Sequence, residues 1–367
     1  MEDQVRNEKE KKIGPTLQEL KALAGERETI LVTDPFNMRY LSGFRGGEGM
    51  LYLSRNRCVL ITDSRYTEAA AAESDFEVVE ENSGHKRTQI VQECLQMDGA
   101  EQISYEDLSM HVVELHRLQK ALPEIRAWHP AGDRLNRLRR IKSEAELELL
   151  AKAEQIGDAA FAEILKILKP GMTELEAAAE LEYQMKKHGA EGFSFDTIMA
   201  SGEHSSMPHA IPSMRKFQTG DFITMDFGCL YGGYCSDMTR TVVIGKADEK
   251  QKEIYDTVLR AQQAALEGIR PGMTGKEADA LARDIIAAAG YGKCFGHSLG
   301  HSVGLFIHEE PRLSPLSEDI LQPGMIETVE PGIYVPGFGG VRIEDMVVIT
   351  EDGIRNLTAS PKELIQL

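Results

Sequence analysis

The feature that most constrains the fold is an internal repeat in the second half of the 367-residue chain. The stretch KPGMTELEAAAELEYQMKKHGA, which starts at Lys169, resembles RPGMTGKEADALARDIIAAAGY, which starts at Arg270. Proline, glycine, methionine and threonine match in order, and residues such as Glu176 and Gly189 recur 101 positions later. Solenoids need more than two copies, so the repeat predicts a domain of two αβ halves related by a pseudo-twofold axis.

Each copy continues into a histidine-containing segment and then into a glycine-rich hairpin that carries two carboxylates. The first hairpin, GDFITMDFGCLYGGYCSDMTRT, holds Asp226 and Asp237, and the second, GMIETVEPGIYVPGFGGVRIED, holds Glu330 and Glu344. Strand-like runs beside grouped glycines are typical of strands joined by tight turns. A site at the junction of the halves would therefore receive two carboxylates from each half, with His301 of HSLGH between the hairpins.

This set of side chains indicates a two-metal hydrolytic site. Paired carboxylates can bridge two divalent ions and allow a shared water to lose its proton near neutral pH. Four carboxylates and one imidazole favour Mn, with Co or Zn as further possibilities, over metals that prefer thiolates. A lone aspartate before glycine is usually turn chemistry, but the repeat-related placement favours ligands. His297 and His301 have helical zinc-ligand spacing, yet Gly296 and Gly300 argue against a helix there.

Composition limits the classes of partner. The length predicts two domains, and the net charge of -18 opposes binding to nucleic acid or anionic lipid. No apolar run reaches the roughly 20 residues of a membrane span, and the charged start MEDQVRNEKEKK is unlike a secretory signal. The five cysteines form no CxxC pair, so no disulfide framework or structural zinc site is expected. We expect a cytoplasmic protein that acts on small or peptide substrates.

The domain plan follows from the pattern of apolar runs. Short β-branched runs at 30–33, 50–54, 58–62 and 76–80 alternate with helix-compatible segments at 86–97 and 111–121, which predicts a small α/β domain. Ser143 with Glu146 fits a capping box, and an apolar stripe then continues to Leu168. We therefore predict the following division: a charged tail at 1–12, an N-terminal domain at 13–131, a linker at 132–142 and a catalytic domain at 143–367.

Several long motifs resemble the pita-bread metallopeptidases, the family of Xaa-Pro dipeptidases (prolidases), aminopeptidase P and methionine aminopeptidase. The motifs are MDFG, YCSDMTRT, FGHSLGH, IHEEP, TVEPGIY and GGVRIED. They cover the chain from about Ser143 onward, and the segment from Thr62 to Tyr66 resembles part of the prolidase-type N-terminal domain. The resemblance implies an α+β fold in which a pita-bread catalytic domain follows a smaller α/β domain of the creatinase/prolidase type.

The resemblance also implies roles for individual residues. The five matched metal ligands are Asp226, Asp237, His301, Glu330 and Glu344, with Asp237 and Glu344 expected to contact both ions. His209 and His308 match histidines that hold the substrate and stabilise the intermediate. His297 matches a histidine that lines the substrate pocket, and Arg342 matches an arginine beside the site that orients the substrate or a ligand carboxylate. The implied reaction is hydrolysis of the bond before proline in Xaa-Pro dipeptides or short peptides by a metal-bridged hydroxide, with Glu330 moving the proton.

Some positions depart from the family pattern without removing a ligand. They are Ser64, Ala210, Ser302, Phe306 and Glu327. We expect Phe306, which precedes the Ile-His pair, to be a substrate residue that modifies specificity. The native metal, the length of the preferred peptide and the residue before proline are left open by the sequence.

Two alternatives to a dipeptidase stay open. One is an aminopeptidase P that acts on longer X-Pro peptides, and the other is a non-catalytic pita-bread module that binds peptides or proteins. Methionine aminopeptidase fits less well, because those enzymes generally lack a comparable N-terminal domain. The resemblance further implies a homodimer in which Asp63, Arg65 or Tyr66 approaches the partner's active site.

Overall fold

The computed structural model describes residues 13–367, so the predicted charged tail at 1–12 lies outside the described residues. The chain forms two compact units, one ending at Arg139 and the other running from Arg140 to Leu367. This division falls inside the predicted linker at 132–142. The predicted domain limits at residues 131 and 143 stay a proposal.

The first unit is built on a mixed sheet with the strand order β4-β3-β2-β1-β5-β6. Its strands are β1 (Glu28–Val32), β2 (Met50–Leu53), β3 (Cys58–Asp63), β4 (Glu77–Glu81), β5 (Gln102–Tyr105) and β6 (Ala127–Pro130). Its helices are α1 (Leu17–Leu23), α2 (Pro35–Ser42), α3 (Thr67–Glu73), α4 (Arg87–Asp98) and α5 (Val112–Ala121). The strands predicted at 30–33, 50–54, 58–62 and 76–80 form as β1 to β4, and the helices predicted at 86–97 and 111–121 form as α4 and α5. The apolar runs of β1, β2 and β3 are buried, which is typical of strands covered on both faces.

The second unit contains the helices of the repeat. They are α6 (Glu144–Ile164), α7 (Glu174–Lys187), α8 (Glu249–Gly268) and α9 (Gly275–Ala288). The capping box at Ser143 is confirmed, and Thr173 and Thr274 cap α7 and α9 in the same way at equivalent positions of the two copies. Helix α6 ends at Ile164, earlier than its apolar stripe suggests, because the following residues form a tighter turn with i→i+3 hydrogen bonds.

The strands described in the second unit form three three-stranded sheets and two short pairs. The first half has β7 (Gly192–Phe193), β8 (Ile198–Ser201), β9 (Phe222–Phe227), β10 (Cys229–Tyr231), β11 (Tyr234–Cys235) and β12 (Met238–Val243). The second half has β13 (Gly300–Ser302), β14 (Glu309–Leu313), β15 (Ile326–Val329), β16 (Gly332–Val335), β17 (Gly339–Arg342), β18 (Asp345–Ile349) and β19 (Ile354–Asn356). The two sheets with the longest strands have the orders β12-β9-β8 and β15-β18-β19, and the third has the order β11-β10-β7.

Each half has its own apolar core. In the first, Phe161 of α6 and Leu181 of α7 are buried with Met225 of β9. In the second, Val258 of α8 and Ala282 of α9 are buried in one cluster with residues of β15 and β18. Two helices packed on one sheet in each half is the arrangement that the repeat predicts.

The carboxylate hairpins form as the sequence indicates. Strands β9 and β12 pair antiparallel from Phe222–Val243 to Phe227–Met238, and β15 pairs with β18 in the same sense. Between β10 and β11, Gly232 and Gly233 both have positive φ, which a tight return requires and which other residues rarely adopt.

Candidate metal centre

The junction of the two halves brings three predicted ligands into one cluster. Ligand oxygens of Asp226, Asp237 and Glu344 lie within 4.8 Å of one another. Asp226 is near the end of β9, while Asp237 precedes β12 and Glu344 precedes β18. A hydrogen bond from Oγ1 of Thr239 to Oε2 of Glu344 (2.6 Å) and one from the Glu344 amide to the Thr239 carbonyl (3.1 Å) join the halves here.

His301 and Glu330 complete the predicted set. Nε2 of His301 is 3.5 Å from Oδ2 of Asp237 and 3.6 Å from Oε1 of Glu330. Nδ1 of His301 lies 3.1 Å from the carbonyl of Ser302, so Nδ1 carries the proton and Nε2 presents a lone pair to the carboxylates. These separations are too long for good hydrogen bonds, but two ligands about 2.1 Å from one ion are about 3.0–3.5 Å apart.

The electrostatics of the cluster also fit a bound cation. Burial, and then the neighbouring carboxylates, raise the pKa of Asp237 and of Glu344 well above the ordinary value, and enclosure raises the pKa of Glu330 to about 8. Oδ1 of Asp226 is buried and has no hydrogen-bond partner among the described residues. Burial lowers the pKa of His301 to about 3, so its imidazole is neutral. Divalent ions would offset this concentration of negative charge, so the residues present fit the metal that their pattern predicts.

Arg342 contacts a predicted ligand directly. Its Nη2 donates to Oδ2 of Asp226 (2.6 Å), and its Nη1 donates to the Tyr334 hydroxyl (2.7 Å). The Tyr334 hydroxyl is 2.8 Å from Nε2 of His297, whose Nδ1 is 2.8 Å from the Ser298 carbonyl. The carbonyl fixes the tautomer, so Tyr334 donates to His297. Of the two roles predicted for Arg342, orienting a ligand carboxylate is the one that this contact provides.

Arg240 donates hydrogen bonds to the backbone of both halves at the same junction. Its five N–H groups all have acceptors, which are the carbonyls of Thr239, Glu344, Ser360 and Pro361 and Oδ1 of Asp345. The side chain is buried, so each unmet donor would cost free energy, and the complete set fixes the backbone beside Glu344.

A cavity of about 860 Å³ opens onto the predicted ligands. His209 and His308 line it, and neither ring makes a hydrogen bond within residues 13–367. The His308 ring packs edge-on against His301, with centroids 4.7 Å apart, and burial lowers the pKa of His308. His297, Arg342 and the five predicted ligands also line this cavity. The structure thus brings nearly every predicted site residue to one place.

Phe306 is the exception among the predicted site residues. Its ring is 37% exposed and lies beside the cavity, edge-on to His308 with centroids 6.1 Å apart. Of the other departures from the family pattern, Ala210 lines the cavity, while Ser302 and Glu327 are buried on β13 and β15. Ser64 is exposed in the first unit.

Sequence reasoning assigned no role to several residues that the structure brings to the site. Tyr334, Thr239 and Arg240 lie inside the quoted motifs, but only their contacts show what they hold. Arg312 lines the cavity and is the Cα partner of His301 in the β13–β14 pair. Its place directly after the IHEEP motif is the signal that could have identified it.

Family models match both units. The model of metallopeptidase family M24 matches residues 148–351, and the creatinase/prolidase N-terminal domain matches residues 17–141. The chain belongs to metallopeptidase family M24. The prediction of a pita-bread peptidase with a prolidase-type N-terminal domain is therefore confirmed.

Several proteins that match nearly the whole chain are named as Xaa-Pro peptidases. An Xaa-Pro dipeptidase from Pyrococcus furiosus is 41% identical over 92% of this chain and 95% of its own. The structure of an Xaa-Pro dipeptidase from Bacillus anthracis matches with a TM-score of 0.91 at 43% identity, covering 96% of this chain and 99% of that one. An X-Pro aminopeptidase from Thermotoga maritima gives a TM-score of 0.88 at 38% identity, covering 95% and 100%.

The described chain offers no candidate for a membrane-spanning helix. Among residues 13–367, none of the helices combines the length and the apolar character that a span requires.

Proposed function

We propose that the protein is an Xaa-Pro dipeptidase that hydrolyses the bond before proline with two divalent ions. The observation that carries the proposal is the cavity, which is lined by the carboxylate cluster and His301. The imidazoles of His209 and His308 and the guanidinium of Arg312 line the same cavity. The relatives that cover nearly the whole chain support the same activity.

Each residue of the site has its own role in the proposed hydrolysis. When bound, divalent ions would polarise the scissile carbonyl and lower the pKa of a water molecule. Glu330 accepts a proton from the attacking water and returns it to the leaving proline nitrogen. His209 and His308, whose rings face the cavity, donate hydrogen bonds to the substrate carbonyl oxygen as negative charge develops on it. Arg342 keeps Asp226 oriented through the hydrogen bond from its Nη2 to Oδ2.

Arg312 favours a dipeptide over a longer peptide. Its side chain is 36% exposed, and its Nε is 3.6 Å from Oε1 of Glu310, which is too long for a hydrogen bond. Arg342, by contrast, is buried and donates to Asp226 and Tyr334. The free carboxylate of a dipeptide needs a cation in the cavity, and Arg312 can supply a bidentate contact.

The donor set also guides the choice of metal. Four carboxylates and one imidazole form an oxygen-rich site that suits Mn, and it admits Co or Zn. Asp237 and Glu344, one from each half, are the residues that would contact both ions. A homodimer, which rests on the family resemblance, and a cytoplasmic location, which rests on the composition, are further proposals.

The test compares Ala-Pro with its C-terminal amide and with Ala-Pro-Pro, using chelated protein with and without added Mn. We expect Mn-dependent hydrolysis of Ala-Pro and a much higher KM for the amide, because the amide lacks the carboxylate that Arg312 binds. Arg312→Gln should raise KM for Ala-Pro about tenfold or more and leave the amide little changed, while Arg312→Lys should restore part of the difference.

Other outcomes separate the alternatives. Equal hydrolysis of the acid and the amide, with faster cleavage of Ala-Pro-Pro, would identify an aminopeptidase of the kind that the Thermotoga structure represents. Absence of Mn-dependent cleavage of every X-Pro substrate would contradict the proposal. A protein that also gained no metal would be a binding module.

A further inference from the structure

Helix α9 carries an ion pair that the roles described above do not use. Asp279 is 1% exposed, and Oδ1 and Oδ2 of its carboxylate lie 2.8 and 2.5 Å from Nη2 and Nε of Arg283, one turn further along. The guanidinium also lies over the ring of Phe295, 4.2 Å from the centroid. A buried ion pair loses much of its hydration, so additional hydrogen bonds are needed to stabilise it.

Those additional bonds hold the segment from Phe295 to Leu299. Arg283 donates from Nη1 to the Phe295 carbonyl (3.0 Å) and from Nη2 to the His297 carbonyl (2.8 Å). The Leu299 amide donates to Oδ1 of Asp279 (3.0 Å). Because both ends of the segment bind one turn of α9, its backbone cannot shift without breaking charge-assisted hydrogen bonds.

The segment in turn contacts the metal centre. The Leu299 carbonyl accepts a hydrogen bond from the amide of Glu330 (2.8 Å), so a single residue connects Asp279 with that predicted ligand. His301 follows Leu299 by two positions. The side chain of His297 begins the hydrogen-bond chain that runs through Tyr334 to Arg342.

The other copy of the repeat has no such pair. The positions 101 residues before Asp279 and Arg283 are Ala178 and Glu182 on α7, and both line the cavity. The position 101 residues before His301 is Ala200. The ion pair is therefore found only in the half that supplies a histidine ligand, and the equivalent helix face in the other half borders open space.

We propose that Asp279 and Arg283 are positioning residues for the metal centre. Acting through the backbone of His297 and Leu299, they hold Glu330 and His301 at the separation that a shared metal ion requires. This inference rests on the proposed function only in requiring a metal centre. Metal affinity can be measured whether or not the protein cleaves a peptide.

The test uses two substitutions at Asp279 in the full chain. Asp279→Leu removes the acceptor for the Leu299 amide at similar volume, whereas Asp279→Asn keeps an acceptor and loses the charge. Loss of a group that orients metal ligands typically lowers metal affinity about 10- to 100-fold. We expect a loss of this size in Mn affinity by titration calorimetry for Asp279→Leu, a smaller loss for Asp279→Asn, and a larger effect on kcat than on KM for Leu-Pro.

A matched control comes from the first half. Asp221 pairs with Arg215 at 2.6 Å and has a side chain that is 12% exposed, but it contacts no predicted ligand. Asp221→Leu should lower the free energy of unfolding without a comparable loss of Mn affinity. If Asp279→Leu does not fold, Arg283→Lys replaces it. Lysine keeps the positive charge but lacks the planar guanidinium that donates to the carbonyls of Phe295 and His297, so this variant should also have a lower Mn affinity.

The outcomes separate this inference from the proposed function. If the folded Asp279→Leu variant bound Mn as tightly as the wild-type protein does, the positioning role would be overturned. Where Arg283→Lys is the replacement, the same result in that folded variant would overturn it. An equal loss of affinity in Asp221→Leu would overturn it too, because general loosening would explain both. If the wild-type protein binds Mn, cleaves no X-Pro peptide and loses Mn in Asp279→Leu, the positioning role stands and the peptidase proposal fails.

Discussion

The side chain of Glu327 is enclosed on β15, and neither carboxylate oxygen has a hydrogen-bond partner among residues 13–367. Burial raises its pKa well above the ordinary value, against the opposing effect of Lys142. Burial therefore favours the neutral acid of Glu327 over its carboxylate. A buried polar group without a partner costs about 1–3 kcal/mol of stability.

Replacing Glu327 should stabilise the protein. We expect Glu327→Met to raise the free energy of unfolding in urea by about 1–3 kcal/mol, because the orphaned carboxyl is removed at similar volume. The Mn affinity should stay unchanged, since Glu327 contacts no predicted ligand.

Glu309→Met provides the contrast for Glu327→Met. Glu309 forms an ion pair with buried Lys142 (3.2 Å), so its loss leaves an uncompensated charge and should cost about 3–5 kcal/mol. A destabilised Glu327→Met would show that Glu327 has a partner that the described contacts do not include.

Single residues were predictable where their chemistry is unusual in a repeated pattern. Asp226 and Glu330 stand at matching places in two hairpins, so their types and spacing indicate a shared site. Tyr334 was not predictable, because a tyrosine two residues after a glycine is commonplace and only its distances to His297 and Arg342 show what it holds.

At the scale of elements, the close approach of β13 and β15 depends on one glycine. A Cβ on Gly300 would overlap the carbonyl of Thr328, whose Oγ1 accepts from the His301 amide. Gly300→Ala should therefore separate His301 from Glu330, lower Mn affinity and destabilise the protein.

Gly296 is the matched control for Gly300. It lies shortly before Gly300 in the chain, has no positive φ, and a Cβ built on it meets no heavy atom of residues 13–367 within 4 Å. Gly296→Ala should keep wild-type Mn affinity in the same calorimetric titration. If both variants bind Mn like the wild type, the spacing between the two strands does not control the site.

Helix α7 presents one face to the cavity. Leu175, Ala178, Ala179 and Glu182 recur at i, i+3, i+4 and i+7 and line it together with Ile198, the strand partner of Asp226. Arg312 is the strand partner of His301 on the other side. A dipeptide whose carboxylate binds Arg312 would therefore place its first residue toward α7.

Filling this face of α7 should change specificity. Ala179 is exposed, so Ala179→Leu adds volume to the cavity without straining the core. We expect kcat/KM for Leu-Pro to fall at least about tenfold relative to Gly-Pro, because the larger side chain loses its space. Ala280→Leu, the same change 101 positions later on α9, should leave the ratio unchanged. An unchanged ratio in Ala179→Leu would place the first residue elsewhere.

The type of each helix and strand was easier to predict from the sequence than the residues at which it begins and ends. Capping boxes mark the starts of α6, α7 and α9 because a serine or threonine side chain bonds locally to its own helix. The end of α6 depends on the tighter turn after Ile164, which apolar spacing alone does not show.

At the scale of the whole molecule, stability and metal binding are linked through protons. The folded, metal-free protein keeps the proton of Glu330 up to a pKa of about 8, whereas the unfolded chain releases it near the ordinary value of 4.5. Between these values the folded state binds more protons, so its stability falls as pH rises. Asp237 and Glu344, whose pKa values are also raised, act in the same direction.

The linkage can be measured by thermal unfolding. Chelated protein should lose Tm between pH 5 and pH 8, the window set by a Glu330 pKa of about 8. Protein saturated with Mn should not show that decline, because the cation stabilises the ionised carboxylates, and its affinity should rise with pH. Equal pH profiles with and without Mn would contradict the assignment of these carboxylates as ligands.

The two-half architecture was predictable from the 101-residue repeat, which also indicated that carboxylates of both hairpins meet in one site. The differences between the halves were not, because the repeat aligns Asp279 with Ala178 and His301 with Ala200 without showing what either pair faces. Only the packed structure shows that Asp279 of α9 accepts a hydrogen bond from the Leu299 amide, while Ala178 of α7 lines the cavity.

The hydrogen bonds that join the halves have a consequence for how the protein matures. The Thr239–Glu344 bond spans 105 residues of chain, and the Arg342–Asp226 bond spans 116. Contacts between such distant residues form late, because closing long loops costs entropy before it is compensated. A nascent chain would thus complete each hairpin before the ion-binding centre exists, and acquisition of metal would mark the last stage of folding.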